Sequence, residues 1–146
     1  MSLNSKTFLA YIAGLLDGDG SIYVRAKPNN SYKYNYQVAP YVVFFQSTSS
    51  IHFPELMHKI GLGKLRVRND GMYEYTIGKH EELVCFLKQI KPYLQLKHDQ
   101  AKLMLEIIEL KKNVQNQKDF IHLLERIESF RNLNYSKKRI KRTLIP

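Results

Sequence analysis

The chain of 146 residues predicts an α+β fold with four antiparallel strands. Three observations point to it. Segments that alternate apolar and polar residues come in two pairs, each joined by a turn-forming stretch. A helical pattern precedes each pair, and further helical patterns fill the C-terminal half. The order is therefore helix, hairpin, helix, hairpin, then helices. The length suits one domain, 1–146, with a basic tail over about 134–146.

Each element has its own signal. Asn4 or Ser5 can cap a first helix that runs to about Leu16. Within it Ala10, Ala13, Gly14 and Asp17 share one nearly smooth face, of the kind that lets another helix come close. Asp17-Gly18-Asp19-Gly20 then ends it, with glycines free to take dihedrals other residues avoid. Ser21 to Lys27 alternates, with Ile22, Val24 and Ala26 against Tyr23, Arg25 and Lys27. Pro28 to Ser31 makes a turn, and Tyr34 to Gln46 reads as a long strand in which Pro40 predicts an edge position or a bulge. Phe53 to Ile60 is a short helix closed by Gly61 and Gly63. Lys64 to Arg68 alternates again, and Asn69-Asp70-Gly71 turns it into Met72 to Ile77. Glu81 to Ile90 is helical and stops before Pro92. Two more helices follow, Lys97 to Lys112 on Ala101, Leu105 and Ile108, and Lys118 to Asn132 on Ile121, Leu124 and Ile127.

Composition narrows the partners. Twenty-three Lys and Arg against 13 Asp and Glu leave a formal charge of +10, which points to a polyanion, with nucleic acid first. The basic residues sit in strand-like segments rather than along one amphipathic helix, so a membrane surface fits poorly. No apolar run reaches the length of a membrane span. The single cysteine, Cys85, reads as a reduced core residue, and too little sulfur is present for zinc. Phe8 to Leu16 is no signal peptide, because it lacks a small-residue cleavage site and runs into two aspartates. Asp17 to Ser21 starts like an EF-hand loop, but Ile22 stands where glycine is required and Pro28 where the closing glutamate belongs.

Two strands from different hairpins carry Arg and Lys at alternate positions, Arg25 with Lys27 and Lys64 with Arg66 and Arg68. A solvated sheet face would also carry such residues. Their interleaving with Tyr23, Tyr32 and Gln37 favours a strand surface that enters the DNA major groove, where Arg pairs with guanine through two hydrogen bonds.

Ile12-Ala13-Gly14-Leu15-Leu16-Asp17-Gly18-Asp19-Gly20 resembles the signature of the LAGLIDADG homing endonucleases, in particular the single-motif, homodimeric type. Tyr11 to Ile22, Lys27-Pro28-Asn29, Ser31-Tyr32-Lys33, the stretch ending at Gln46, and Leu94 to Ala101 are similar as well, so the likeness spans residues 8 to 142. It implies an αββαββα fold whose four-stranded antiparallel sheet saddles double-stranded DNA, with helices on the other face. It implies a Mg2+-dependent DNA endonuclease that breaks both strands of a long pseudo-palindromic site. Mn2+ or Ca2+ could take the place of Mg2+.

On the matching positions, the resemblance makes Asp19 the metal-binding catalytic aspartate and has Gly18 offer its carbonyl to the same metal. Gln46 and Lys97 become the polar residues around the scissile phosphate. Arg25, Lys27, Asn29, Ser31, Tyr32, Gln37, Arg66, Arg68, Glu74 and Thr76 match base-contacting positions. Ser136, Lys137 and Arg139 match a segment that contacts the DNA backbone. A single motif supplies one aspartate per chain, so cutting two strands needs two chains, paired through the Ala10, Ala13, Gly14 and Asp17 face. The same scaffold also implies two alternatives, an intron maturase that binds RNA and a DNA-binding regulator that no longer cuts.

This chain departs from the pattern at three places. Ser50 stands where a basic residue is expected beside the active site. Tyr41 and Val43 stand where polar sheet residues are expected, which would favour thymine methyls or DNA shape. The chain ends at Pro146, short of part of the family's last helix. No targeting peptide is visible, so the expected place of action is an organelle, chloroplast or mitochondrion, or a prokaryotic cytoplasm.

Overall fold

The computed structural model describes residues 5–134. Asn4 as a helix cap and the backbone-contacting candidates Ser136, Lys137 and Arg139 lie outside the described residues. The elements are α1 (Lys6–Asp19), β1 (Gly20–Pro28), β2 (Tyr36–Ser47), α2 (Phe53–His58), β3 (Lys64–Val67), β4 (Met72–Ile77), α3 (His80–Ile90), a 3-10 turn (Lys91–Tyr93), α4 (His98–Lys112) and α5 (Gln117–Leu133). This is the expected α+β order. The strands lie in the order β1-β2-β4-β3. The chain forms two compact units. One holds the residues up to Ile22 with Tyr41–His98, the other Tyr23–Pro40 with the residues from Asp99 on.

In the first unit Ser5 caps α1, its hydroxyl accepting the Phe8 N–H at 3.3 Å. The helix continues past Leu16 to Asp19, so Gly18 is helical and Gly20 is extended (φ −99°, ψ 176°). The expected glycine dihedrals are therefore not used here. Gly20 is small for another reason: a Cβ on it would lie 2.4 Å from Leu16 Cδ1 and 3.0 Å from Leu16 Cα. Ile12, Leu16, Ile22, Phe44, Met57, Ile77, Leu83, Phe86 and Ile90 are buried. The Phe44 ring meets Phe86 edge-on at 6.2 Å.

Strand β2 runs antiparallel to β4, from Val42 opposite Ile77 to Ser47 opposite Met72. β2 is an inner strand of the sheet, yet at Pro40 it has run past its β4 partner, in keeping with the edge position that Pro40 suggested. Pro40 is tolerated because it lies beyond the end of the β4 register, where a missing N–H costs β4 nothing. β3 pairs with β4 alone, and its four residues are all exposed, Leu65 and Val67 included. Its alternation marks two sides of an edge ribbon and not a buried face. Gly63 enters that ribbon at φ +72°, and a Cβ there would sit 2.6 Å from the Thr76 carbonyl oxygen. The buried Tyr75 hydroxyl donates to the Leu62 carbonyl, and burial raises its pKa well above the usual range. Cys85 is half-buried, with Gln89 Nε2 donating to its sulfur at 3.1 Å, so it is less enclosed than a core residue.

In the second unit α4 buries Ala101, Leu103, Met104, Ile107 and Ile108, and α5 buries Phe120, Leu123, Leu124, Ile127 and Phe130. Ile121, assigned to the inner face from its spacing, is 40% exposed. Leu124 and Ile127 are buried as that spacing implies, and Phe120, Leu123 and Phe130 complete the inward stripe. Arg126 grips Glu106 through Nε at 2.9 Å and Nη2 at 3.0 Å. Lys111 Nζ donates to the Val38 carbonyl at 2.8 Å, and burial pushes its pKa down.

Candidate functional site

The end of α1 brings one group of candidates together. Asp19 is exposed on its last residue, and Gln46 near the end of β2 donates from Nε2 to Asp19 Oδ2 at 3.5 Å. Ser50 Oγ donates to Gln46 Oε1 at 3.4 Å, so the hydroxyl orients the amide with its nitrogen toward Asp19. Lys97 arrives from the segment after the 3-10 turn. Its Nζ donates to the Asp17 carbonyl at 2.6 Å, an ammonium on a carbonyl of the last helical turn. Asp19, Gln46 and Lys97 thus stand at one helix end, though they are far apart in sequence. An exposed carboxylate at the negative end of a helix dipole, near backbone carbonyls, is a hard oxygen donor set that fits a divalent cation. No group of three His, Cys, Asp or Glu side chains that could hold a metal occurs among the described residues.

The reading candidates of the first unit lie on the β3–β4 ribbon. Arg66 sits directly opposite Glu74 and forms an ion pair with it. Arg68, at the start of the turn, binds Asp70 at 2.8 Å and lies over the Phe45 ring, 5.6 Å from its centre. Thr76 is half-buried opposite Lys64. Val43 is only 2% exposed, so it has almost no side-chain surface with which to meet a thymine methyl. The expectation drawn from Val43 fails for that reason, while Tyr41 is half-buried.

The remaining reading candidates belong to the second unit. Arg25, Lys27, Ser31, Tyr32 and Gln37 are exposed, and Asn29 is half-buried. The tip between β1 and β2 is closed by its own hydrogen bonds. Asn29 N donates to Asn35 O at 2.8 Å, Asn35 N to Tyr32 O at 2.9 Å, and Ser31 N to Asn29 Oδ1 at 2.9 Å. Tyr34 stacks on Phe120 of α5 at 4.9 Å, which ties the tip down at its base.

The four candidates for a dimer face separate. Ala10 and Gly14 are exposed, and a Cβ on Gly14 would meet nothing within 4 Å. Ala13 is fully buried and Asp17 is 9% exposed. Both turn inward because α1 packs its i, i+3, i+4, i+7 row of Leu9, Ile12, Ala13 and Leu16 against its own unit. The exposed small residues are Ala10, Gly14 and Gly18, four apart along the helix.

A family model described as "LAGLIDADG endonuclease" matches residues 12–98, more than half of the chain. The chain belongs to the LAGLIDADG endonuclease family. It is 37% identical over 137 residues to the DNA endonuclease I-CreI of Chlamydomonas reinhardtii, covering 92% of this chain and 83% of that one. It is 40% identical over 118 residues to I-CvuI of Chlorella vulgaris, covering 80% of this chain and 71% of the relative. The crystal structure of I-CvuI in complex with the I-CreI target superimposes with a TM-score of 0.85, at 32% identity, over 92% of this chain and 87% of that one. The archaeal intron-encoded I-Vdi141I bound to DNA has a TM-score of 0.80 at 17% identity, a likeness of fold. The four-stranded sheet of this LAGLIDADG chain is therefore the family's sheet.

One contact at the end of α1 escaped sequence reasoning. The Asp17 carboxylate accepts the Gln95 N–H at 2.8 Å and the Lys97 N–H at 2.9 Å. Its partners lie 78 and 80 residues away, so no local pattern signals it. The helical spacing that placed Asp17 on a smooth face could not tell an inward row from an outward one.

Proposed function

We propose that this LAGLIDADG endonuclease acts as a homodimer that makes a double-strand break in a long pseudo-palindromic DNA site, with Mg2+ as its metal. The observation that carries the reading is the convergence of Asp19, Gln46 and Lys97 at the end of α1. The relatives support it. I-CvuI has been crystallised with its DNA target in the presence of Ca2+, and with the I-CreI target, uncleaved, in the presence of Mg2+, so the relatives support DNA binding together with a divalent ion. A divalent ion held by Asp19 and the Gly18 carbonyl would supply charge neutralisation at the phosphate and an activated water. Lys97 then stabilises negative charge that develops on the phosphate, and Gln46 orients the attacking water. Ser50 in place of a basic residue leaves Gln46 oriented by a neutral hydroxyl.

Each chain brings one Asp19, so two chains serve the two strands. The exposed Ala10 and Gly14 face is where α1 of a second copy would come close. Gly14→Leu has open space in its own chain and should fold as a monomer yet fail to dimerise. A stable dimer of that variant by light scattering would place the interface elsewhere. Arg25, Lys27, Asn29, Ser31, Tyr32 and Gln37 on one hairpin, and Arg66, Arg68, Glu74 and Thr76 on the other, read bases. Ser136, Lys137 and Arg139 hold the backbone. No helix among the described residues is long and apolar enough to cross a membrane. Action in an organelle or a prokaryotic cytoplasm, where the target DNA lies, fits this reading.

The test is cleavage of a duplex made from the joined exons that flank the reading frame, with Mg2+ and with EDTA. Cleavage of both strands with Mg2+, lost in EDTA, is the expected result. Splicing of the host transcript without any cut in the duplex would reassign the chain to the maturases.

A further inference from the structure

Lys97 does not hang from a regular element. It lies between the 3-10 turn Lys91–Tyr93 and the first residue of α4, in a stretch where Gln95 and Leu96 are exposed. Leu96 is 74% exposed, so no apolar packing at that position holds the stretch in place. Its backbone is instead gripped from α1. One oxygen of the Asp17 carboxylate takes the Gln95 N–H at 2.8 Å and the other takes the Lys97 N–H at 2.9 Å. The Asp17 carbonyl takes the Lys97 ammonium at 2.6 Å. One residue thus holds Lys97 by its main chain and by its side chain. Asp17 is itself almost fully buried, so its carboxylate has few other partners to turn to. Hydrogen bonds from N–H groups to an ionised carboxylate are among the stronger ones in proteins.

We infer, resting on the reading of Lys97 given above, that Asp17 is a positioning residue that sets the place of the Lys97 ammonium two residues before Asp19. The Asp17 carboxylate fixes the 95–97 backbone, and its carbonyl sets where the ammonium waits when no phosphate is present. Replacing it with Asn keeps the shape but turns an NH2 donor toward one of the two backbone N–H groups. The segment then shifts, and a shift of about 1 Å in a catalytic group costs about a hundredfold in rate.

The experiment compares single-turnover cleavage by wild type, Asp17→Asn, Lys97→Ala and the double variant, with DNA affinity measured in Ca2+. Asp17→Asn should cut about 30- to 100-fold more slowly with affinity within about twofold of wild type. The double variant should be no slower than Lys97→Ala alone, because the two residues act through one group. Losses that multiply, or a full rate in Asp17→Asn, would overturn the assignment. Amide hydrogen exchange in the DNA-free protein reads the same contact without activity. Asp17→Asn should speed exchange at Gln95 and Lys97 by about tenfold or more, and unchanged protection would sink the idea. If Asp17→Asn does not fold, Asp17→Glu keeps the carboxylate on a longer arm, and the same comparison with Lys97→Ala decides. Wild type that cuts no DNA would instead overturn the functional reading and leave the exchange result standing.

Discussion

The end of α1 and the β3–β4 ribbon hold their polar side chains in opposite ways. At the end of α1, Asp17 is buried and Lys97 is half-buried, and both are held by main-chain groups that cannot move alone. On the ribbon, Arg66, with a side chain 69% exposed, is held by Glu74, and Arg68 by Asp70, in ion pairs open to solvent. Exposed ion pairs contribute little to stability, so either partner can let go at small cost. On the proposed function, the reaction with its constant phosphate geometry would use the fixed framework, and the reading of one base sequence among many would use the exchangeable surface. Substitution on the ribbon should alter what is read, and substitution at the helix end should alter whether anything is cut.

The contrast can be tested from its strongest consequence down. Asp19→Asn should lower cleavage by about a thousandfold or more and leave DNA affinity largely intact, because the amide keeps the shape without the charge. Gel-based cleavage together with binding in Ca2+ measures both, and full activity in Mg2+ would move the catalytic centre away from α1. In stability, Leu16→Ala should cost about 2–5 kcal/mol, whereas Val67→Thr on the exposed edge should stay within about 0.5 kcal/mol. Denaturant midpoints compare the pair, and equal losses would erase the distinction between framework and ribbon. Arg66→Ala should cost about 1–3 kcal/mol of binding and relax preference at one base pair per half-site. A panel of single-base target variants reads this, and a uniform loss across the panel would make Arg66 a phosphate contact.

The smallest effect concerns the buried hydroxyl behind the ribbon. Tyr75 keeps its proton more tightly folded than unfolded. Its contribution is therefore complete below pH 10, the unfolded value, and is lost as pH rises toward the folded one. Stability of wild type should fall above pH 10 more steeply than that of Tyr75→Phe. Parallel curves from alkaline denaturation would show that burial, with the Glu82 carboxylate nearby, does not keep the phenol protonated.

The sequence by itself determined the order and type of the elements, because hydrophobic period is a local property. Alternation marked β1, helical spacing marked α3 to α5, and Asn69-Asp70-Gly71 marked the turn between β3 and β4. It also determined the family, since the Ile12 to Gly20 run and its spaced companions lie in the chain as letters. It left open which way each row of side chains faces. Ala13 and Asp17 share a helical face with Gly14 in projection, yet packing turns the first two inward and leaves Gly14 out. Ile121 and Phe120 are equally apolar, and only the helix's neighbours decide that Phe120 goes in. Pro40 in an inner strand is acceptable because β4 ends before reaching it, a fact of register. The Asp17 grip on Gln95 and Lys97 joins points about 80 residues apart, and such a pairing exists only once the chain has folded. Period and motif are carried by neighbours along the chain. Facing, register and long-range hydrogen bonds are settled by which surfaces bury each other, and that is a property of the folded molecule.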